Sequence, residues 1–136
     1  MADGTQRKIL VVDDEADMRI FVSTVVETSG YEALVARDGS EAFELALSAR
    51  PDLVVLDVMM PKIEDGVHTY HRFKHHPDLK QTPIIMLSAI AHKTFLHYVS
   101  VLAPSTDGQT MEPEAYMEKP PEAAELVRLI GSILHD

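Results

Sequence analysis

Five positions in this 136-residue chain carry side chains suited to metal or phosphoryl chemistry, and each stands at the end of a short apolar run. Asp13 and Asp14 follow Ile9 to Val12, Asp57 follows Leu53 to Leu56, Ser88 follows Pro83 to Leu87, and Lys119 follows Ala115 to Glu118. Brought to one rim, three carboxylates repel one another unless a cation neutralises them. An all-oxygen donor set suits Mg2+, with Mn2+ as the alternative, and water completing an octahedron. A carboxylate beside such an ion can attack a phosphoryl group, because the metal and a nearby ammonium balance charge on the transferring oxygens. Asp57 is then the candidate nucleophile, with Lys119 and Ser88 as partners of the phosphoryl oxygens. Asp13 has a second reading, as a cap of the helix that follows, and Glu15 reads as a solvated neighbour.

The elements around these positions alternate. After Ile9 to Val12, Met18, Phe21, Val22 and Val25 recur at i, i+3, i+4 and i+7 of a helix, which Ser29-Gly30 closes with a left-handed cap. A strand over Tyr31 to Ala36, a cap at Asp38-Gly39-Ser40 and a helix ending before Pro51 repeat the pattern. The run Leu53 to Leu56 is apolar on both alternations, as in a strand covered on both faces. An acidic turn, Glu64-Asp65-Gly66, leads to a His-rich helix from about Val67 to His76, and Pro77 ends it. A strand over Pro83 to Leu87 and a helix over Ala91 to Val101 precede a long loop rich in Pro, Ser, Thr and Gly, residues 102–114. A short strand, Ala115 to Glu118, and a helix with Leu126, Leu129, Ile130, Ile133 and Leu134 on one face complete the chain. Parallel strands need crossovers, so the alternation predicts a doubly wound α/β domain with a five-stranded parallel sheet and helices on both faces. Ligands bind such sheets at the carboxyl ends of the strands, where the five polar positions lie.

Composition narrows the function. Twelve Lys and Arg against 22 Asp and Glu give a formal charge of −10, which opposes direct nucleic-acid binding. The chain has no cysteine, which excludes a disulfide scaffold, a thiol nucleophile and Cys-ligated metal. Residues 1–7 read as a short tail without the apolar core of a signal peptide, and no run approaches the 18 or so apolar residues of a membrane span. A cytoplasmic single domain, residues 1–136, fits this composition.

The chain resembles the receiver domains of two-component response regulators, the CheY-like family. The motifs that carry the resemblance are Val11-Val12-Asp13-Asp14-Glu15, Leu56-Asp57-Val58-Met59-Met60-Pro61 with Asp65-Gly66 beyond, Ser88-Ala89, and Tyr116-Met117-Glu118-Lys119-Pro120. The resemblance implies a flavodoxin-like sheet of order 2-1-3-4-5. It implies Mg2+-dependent transfer of a phosphoryl group to Asp57 from a phosphohistidine on a sensor histidine kinase or a histidine phosphotransfer domain. Asp13, Asp14, Asp57 and the backbone carbonyl of Met59 would hold the metal, Lys119 would contact the phosphoryl group, and the Lys119-Pro120 bond would be cis. Ser88 and Tyr116 match the family's switch pair, whose rearrangement alters the face used by an output partner protein.

The departures are specific. The segment between Pro61 and Gly66 is one residue longer than is common in the family, and the stretch from Ser88 to Lys119 is longer still. Met59 and Ile90, two residues beyond Asp57 and Ser88, are apolar and cannot orient a hydrolytic water, so self-dephosphorylation should be slow. The sequence stops shortly after the last helix, which reads either as a stand-alone receiver that binds a partner or relays phosphate, or as a segment of a hybrid kinase or multidomain regulator. His68, His71 and His75 share one helix face, and without a Cys or a placed acidic partner that face reads as solvated or partner-contacting. The stripe Leu126, Ile130, Ile133 and Leu134 reads as core, with a homodimer seam as the alternative. Three rival functions follow from the same residues. A Mg2+-dependent phosphatase would want a second acid at Met59, and a flavin or nucleotide module would want glycine where the first loop is acidic. A receiver-like scaffold that works without phosphorylation is the third.

Overall fold

A computed structural model of the chain describes residues 6–60, 62–102 and 113–135. Pro61 of the third-strand motif, residues 1–5 of the tail and residues 103–112 of the long loop lie outside them. The elements run β1 (Lys8–Val12), α1 (Ala16–Thr28), β2 (Glu32–Ala36), α2 (Gly39–Ala49), β3 (Leu53–Asp57), α3 (Ile63–His75), β4 (Ile84–Ser88), α4 (His92–Leu102), β5 (Ala115–Glu118) and α5 (Ala123–Leu134). All strand pairs are parallel and the sheet order is β2-β1-β3-β4-β5, as the alternation and the resemblance predict.

Side chains that alternate along each strand supply two cores. Leu10, Val12, Val54, Leu56, Ile84 and Met86 face α2, α3 and α4, where Ala42, Tyr70, Phe73 and Phe95 are buried. Ile9, Val11, Leu53, Val55, Ile85 and Leu87 face α1 and α5, against Val22, Val26, Leu126 and Ile130. Every residue of β3 and β4 is buried. That burial is why Leu53 to Leu56 reads as a continuous apolar run instead of an alternation.

Local signals account for most element ends. Asp38 caps α2 by accepting from the Glu41 N–H at 2.8 Å, and the Glu41 carboxylate accepts from the Arg37 N–H at 2.7 Å. Gly30, just after the cap residue Ser29 of α1, has φ of +96°, the left-handed conformation expected there. Leu126, Ile130 and Leu134 are buried against the sheet, so this stripe is core.

Two expectations need correction. Phe21 is not on the core face of α1: it is 40% exposed, and Val22, Val25 and Val26 are the residues that pack inward, with Met18 half-buried beside them. Residues 21 and 22 are about 100° apart around a helix, so a face centred on Val22 and Val26 turns Phe21 toward solvent. The Glu64-Asp65-Gly66 turn belongs to α3, which begins four residues before the expected Val67. Its first turn is closed by Asp65, whose carboxylate accepts from the Lys62 N–H at 3.1 Å. A Cβ on Gly66 would collide with the Val58 carbonyl, so glycine sits in the helix because α3 presses against the backbone next to Asp57.

Glu114 anchors the start of β5. Its carboxylate accepts from the Ile84 N–H at 2.7 Å and meets the buried Lys74 ammonium at 3.3 Å, tying α3, β4 and the start of β5 together. Proximity of Gly66 to Val58 has a measurable consequence. Gly66→Ala should lower stability by about 1–3 kcal/mol, read as a lower urea midpoint at unchanged m-value, because overpacking here must displace backbone.

Candidate functional site

The register of the sheet builds the site. Val12 pairs with Leu56 across β1 and β3, so the next residues, Asp13 and Asp57, emerge side by side at the carboxyl ends of the two strands. This is the point where the connections on either side of β1 and β3 diverge to opposite faces, the crevice in which doubly wound sheets bind ligands. Asp13 and Asp57 are buried, at 2% and 3% exposure, while Asp14 is exposed. One carboxylate oxygen from each of Asp13, Asp14 and Asp57 falls within 4.8 Å of the others.

Lys119 closes the site from the opposite edge. Its N–H donates to the Ser88 carbonyl at 2.7 Å, which fixes the end of β5 against β4. Its ammonium then reaches Asp13 Oδ2 at 3.2 Å, Asp57 Oδ2 at 3.4 Å and Glu15 Oε1 at 3.4 Å. The Lys119-Pro120 bond is cis. Sequence reasoning set Glu15 aside as a solvated neighbour; it is exposed, yet it pairs with Lys119 and its N–H donates to Asp13 Oδ1 at 2.9 Å. Arg19 was missed altogether, and its guanidinium donates to the Asp13 carbonyl at 2.9 Å, one turn into α1. Its position six residues after Asp13 is the only signal that sequence offered.

The electrostatics follow from this crowding. Burial, and then the Asp13 charge, push the Asp57 carboxyl from an ordinary 3.8 up to about 7, against the opposing pull of Lys119 and the Met59 N–H, which donates to Asp57 Oδ1 at 3.2 Å. Burial alone would lower the Lys119 pKa, but the charges of Asp57 and Asp13 outweigh it and hold the ammonium above its ordinary value. A cleft of about 340 Å³ opens over these groups, lined by Asp14, Glu15, Asp57, Met59, Ala89 and Lys119. Three carboxylates with no nitrogen or sulfur donor among them form a set that a hard divalent cation fits, and one lysine does not neutralise all three.

Ser88 and Tyr116 stand to one side of the cleft. Ser88 is fully buried, and its hydroxyl accepts from the Ile90 N–H at 3.1 Å. Tyr116 is half-buried and its hydroxyl donates to the Ile90 carbonyl at 2.8 Å. Its ring stacks on His92 at 4.8 Å and leans on Phe95 at 5.4 Å. Burial raises the pKa of its hydroxyl.

A doubly wound sheet with three clustered carboxylates and a lysine at its carboxyl edge defines a class of phosphoacceptor signalling module. Comparison with known proteins agrees: residues 9–130 match the family described as response regulator receiver domain, and the chain belongs to that family. It is 37% identical over 129 residues to a probable transcriptional regulator, ycf27, of Cyanophora paradoxa, an alignment covering 95% of this chain and 48% of that one. The chain spans about half the length of such curated relatives. Among solved structures, the chemotaxis protein CheY4 of Vibrio cholerae superposes with a TM-score of 0.78 at 26% identity, covering 95% of this chain and 99% of that one. A putative response regulator from Chloroflexus aurantiacus gives 0.80 at 29% identity, covering 97% and 100%. Residues 9–130 are thus a signalling receiver domain. Receiver domains bind Mg2+ at an acidic site and work with histidine kinases. Among the described residues no helix is long and apolar enough to cross a membrane.

The raised Asp57 pKa sets a pH test with a definite sign. Between 3.8 and about 7 the folded state keeps a proton that the unfolded state has lost, so in metal-free buffer this group's contribution falls as pH rises through that window. Asp57→Asn should therefore raise the metal-free Tm, by more at about pH 8 than at about pH 4, as read by scanning calorimetry.

Proposed function

We propose that this chain accepts a phosphoryl group on Asp57 from the phosphohistidine of a sensor kinase or a histidine phosphotransfer domain. The observation that carries this reading is the three-carboxylate cluster pinned by Lys119 at the strand ends. Asp13 and Asp14, together with Asp57 and the Met59 carbonyl, would hold Mg2+. Bound there, the ion supplies positive charge for the developing negative charge on the transferring oxygens. The residues of the chain do the rest. An Asp57 carboxylate oxygen attacks phosphorus, the P–N bond to the donor imidazole breaks, and the product is an acyl phosphate on Asp57. Lys119 pairs with the oxygens of the transferred group, and its existing contact with Asp57 Oδ2 sets it at the right edge for that role. Ser88 would follow the phosphoryl group, and Tyr116, already turned toward the β4–α4 connection, would report the change on the face formed by α4, β5 and α5.

The output of that face is a protein–protein contact with a partner, in the cytoplasm, with phosphate relay as the alternative route. The formal charge of −10 disfavours this domain's own contact with DNA, whatever the ycf27-type relatives do through the rest of their length. A homodimer through the α4, β5 and α5 face is a form the output could take, and Val101 and Val127 are exposed on its helices.

Incubation with acetyl phosphate followed by intact-mass measurement tests the chemistry. One added phosphoryl group that requires Mg2+ and is lost in Asp57→Ala is the expected result, and no adduct on a folded protein would favour a scaffold that acts without phosphorylation. The same adduct, freed of phosphodonor, should persist for tens of minutes or longer, because Met59 and Ile90 offer no polar group to orient the attacking water. A decay within seconds would refute that assignment.

A further inference from the structure

Met59 brings a thioether to the rim of the acidic cleft. Its N–H donates to Asp57 Oδ1 at 3.2 Å, and the residue lines the cleft with Asp14, Asp57 and Lys119. Among the described methionines it is the exposed one: Met59 is 36% exposed, Met18 is half-buried, and Met60, Met86 and Met117 are buried.

A thioether reached from solvent is open to oxidation by a peroxide. The sulfur lone pair attacks one peroxide oxygen, the O–O bond breaks, and the other oxygen leaves as water. Sulfur loses two electrons and the peroxide gains them, so the product is methionine sulfoxide. The thioether is a weak hydrogen-bond acceptor, whereas the sulfoxide is polar and carries an accepting oxygen. That change falls where polarity counts, because slow loss of a phosphoryl group follows from apolar side chains two residues beyond Asp57 and Ser88. Ile90, the second of these, is a hydrocarbon with no such chemistry. The Met59 sulfur is therefore the one point at which oxidation can alter that apolar pair.

We propose that Met59 is a peroxide-sensitive modification site whose oxidation shortens the lifetime of the phosphoryl group on Asp57. This role rests on Asp57 being the phosphoacceptor, and it adds a control to that chemistry. In the oxidised, phosphorylated protein the sulfoxide oxygen accepts a hydrogen bond from the water that attacks phosphorus. The P–O bond to the Asp57 carboxyl breaks, and inorganic phosphate and a free carboxylate result. The groups assigned to Mg2+ are unchanged, since Met59 offers its backbone carbonyl to that set and not its sulfur. Reduction of the sulfoxide back to the thioether restores the long-lived state.

The test treats the whole chain with hydrogen peroxide, removes the oxidant and locates the added oxygen by peptide mass mapping. Decay of the adduct formed with acetyl phosphate and Mg2+ is then followed by intact mass. Met59 should take up oxygen ahead of Met18, Met60, Met86 and Met117. The oxidised protein should lose its phosphoryl group about three- to tenfold faster than the untreated one, the rate equivalent of one hydrogen bond. In Met59→Leu, which keeps every other methionine, decay should not respond to peroxide, and Met59→Gln, with a permanent acceptor, should decay fast without it. Far-UV circular dichroism of each sample confirms that the fold is intact. Sulfoxide at Met59 with unchanged decay, equal acceleration in Met59→Leu, or oxidation of the buried methionines first would overturn the site. Absence of any adduct on the untreated protein would remove the phosphoacceptor reading and this role with it, a failure seen before peroxide is added.

Discussion

Two carboxylates, Asp13 and Asp57, are buried side by side, and a single ammonium, Lys119, holds both. At an effective dielectric near 20, two like charges about 4 Å apart repel by on the order of 4 kcal/mol, a sizeable part of the 5–15 kcal/mol that stabilises an ordinary domain. Such a pair exists only where the surrounding fold imposes it. The fold does so through the parallel register of β1 and β3, which cannot place Val12 beside Leu56 without placing Asp13 beside Asp57. The result is a carboxylate whose pKa is lifted toward neutrality, beside a lysine held firmly charged. A site in that state is poised to take up positive charge, and it favours ligands that bring it.

Holding that arrangement explains features that would otherwise look unrelated. β3 and β4 are buried throughout, so the strand that delivers Asp57 is clamped on both faces by Phe73, Phe95 and Ile84 on one side and Val26, Ile85 and Leu126 on the other. Gly66 lets α3 approach the Val58 carbonyl, immediately after Asp57, with no side chain between. Arg19 and the Glu15 N–H both bond Asp13, one through its carbonyl and one through its carboxylate. These contacts restrain the loop after β1 in a position that charge repulsion alone would open.

The other edge of the sheet carries what is particular to this chain. Lys119 bonds back to Ser88, Tyr116 bonds to Ile90, and Glu114 joins Ile84 and Lys74, so β5 is fastened to β4 along its whole length and to α3 besides. Glu114 stands immediately before Ala115, the first residue of β5. A buried lysine and a half-exposed carboxylate there keep the start of β5 in register whatever the length of the connection before it. Tyr116, two residues further along β5, stacks on His92 and leans on Phe95.

Much of this was legible in the sequence because it rests on period and punctuation. The strand–helix alternation, the buried run Leu53 to Leu56, the Asp38 cap, the left-handed Gly30 and the polar residues at the strand ends are local signals, and each implies the same doubly wound sheet. The five strand-end positions could be singled out because a parallel sheet brings all its carboxyl ends to one rim. What the sequence could not decide depends on which neighbour lies across a gap. Phe21 satisfies the helical period as well as Val22 does, and only the direction from which the sheet approaches α1 turns one inward and the other out. Glu64-Asp65-Gly66 reads as a turn until the Val58 backbone supplies the reason for a glycine inside a helix. Glu15, Arg19 and the pairing of Lys74 with Glu114 join residues distant in sequence or ambiguous in it, and no periodicity encodes such a meeting. Sequence determined the order of elements and the chemistry available at their ends, because those are properties of the chain taken a few residues at a time. Tertiary structure alone decided which charges share a dielectric, since burial and distance exist only once the strands lie side by side.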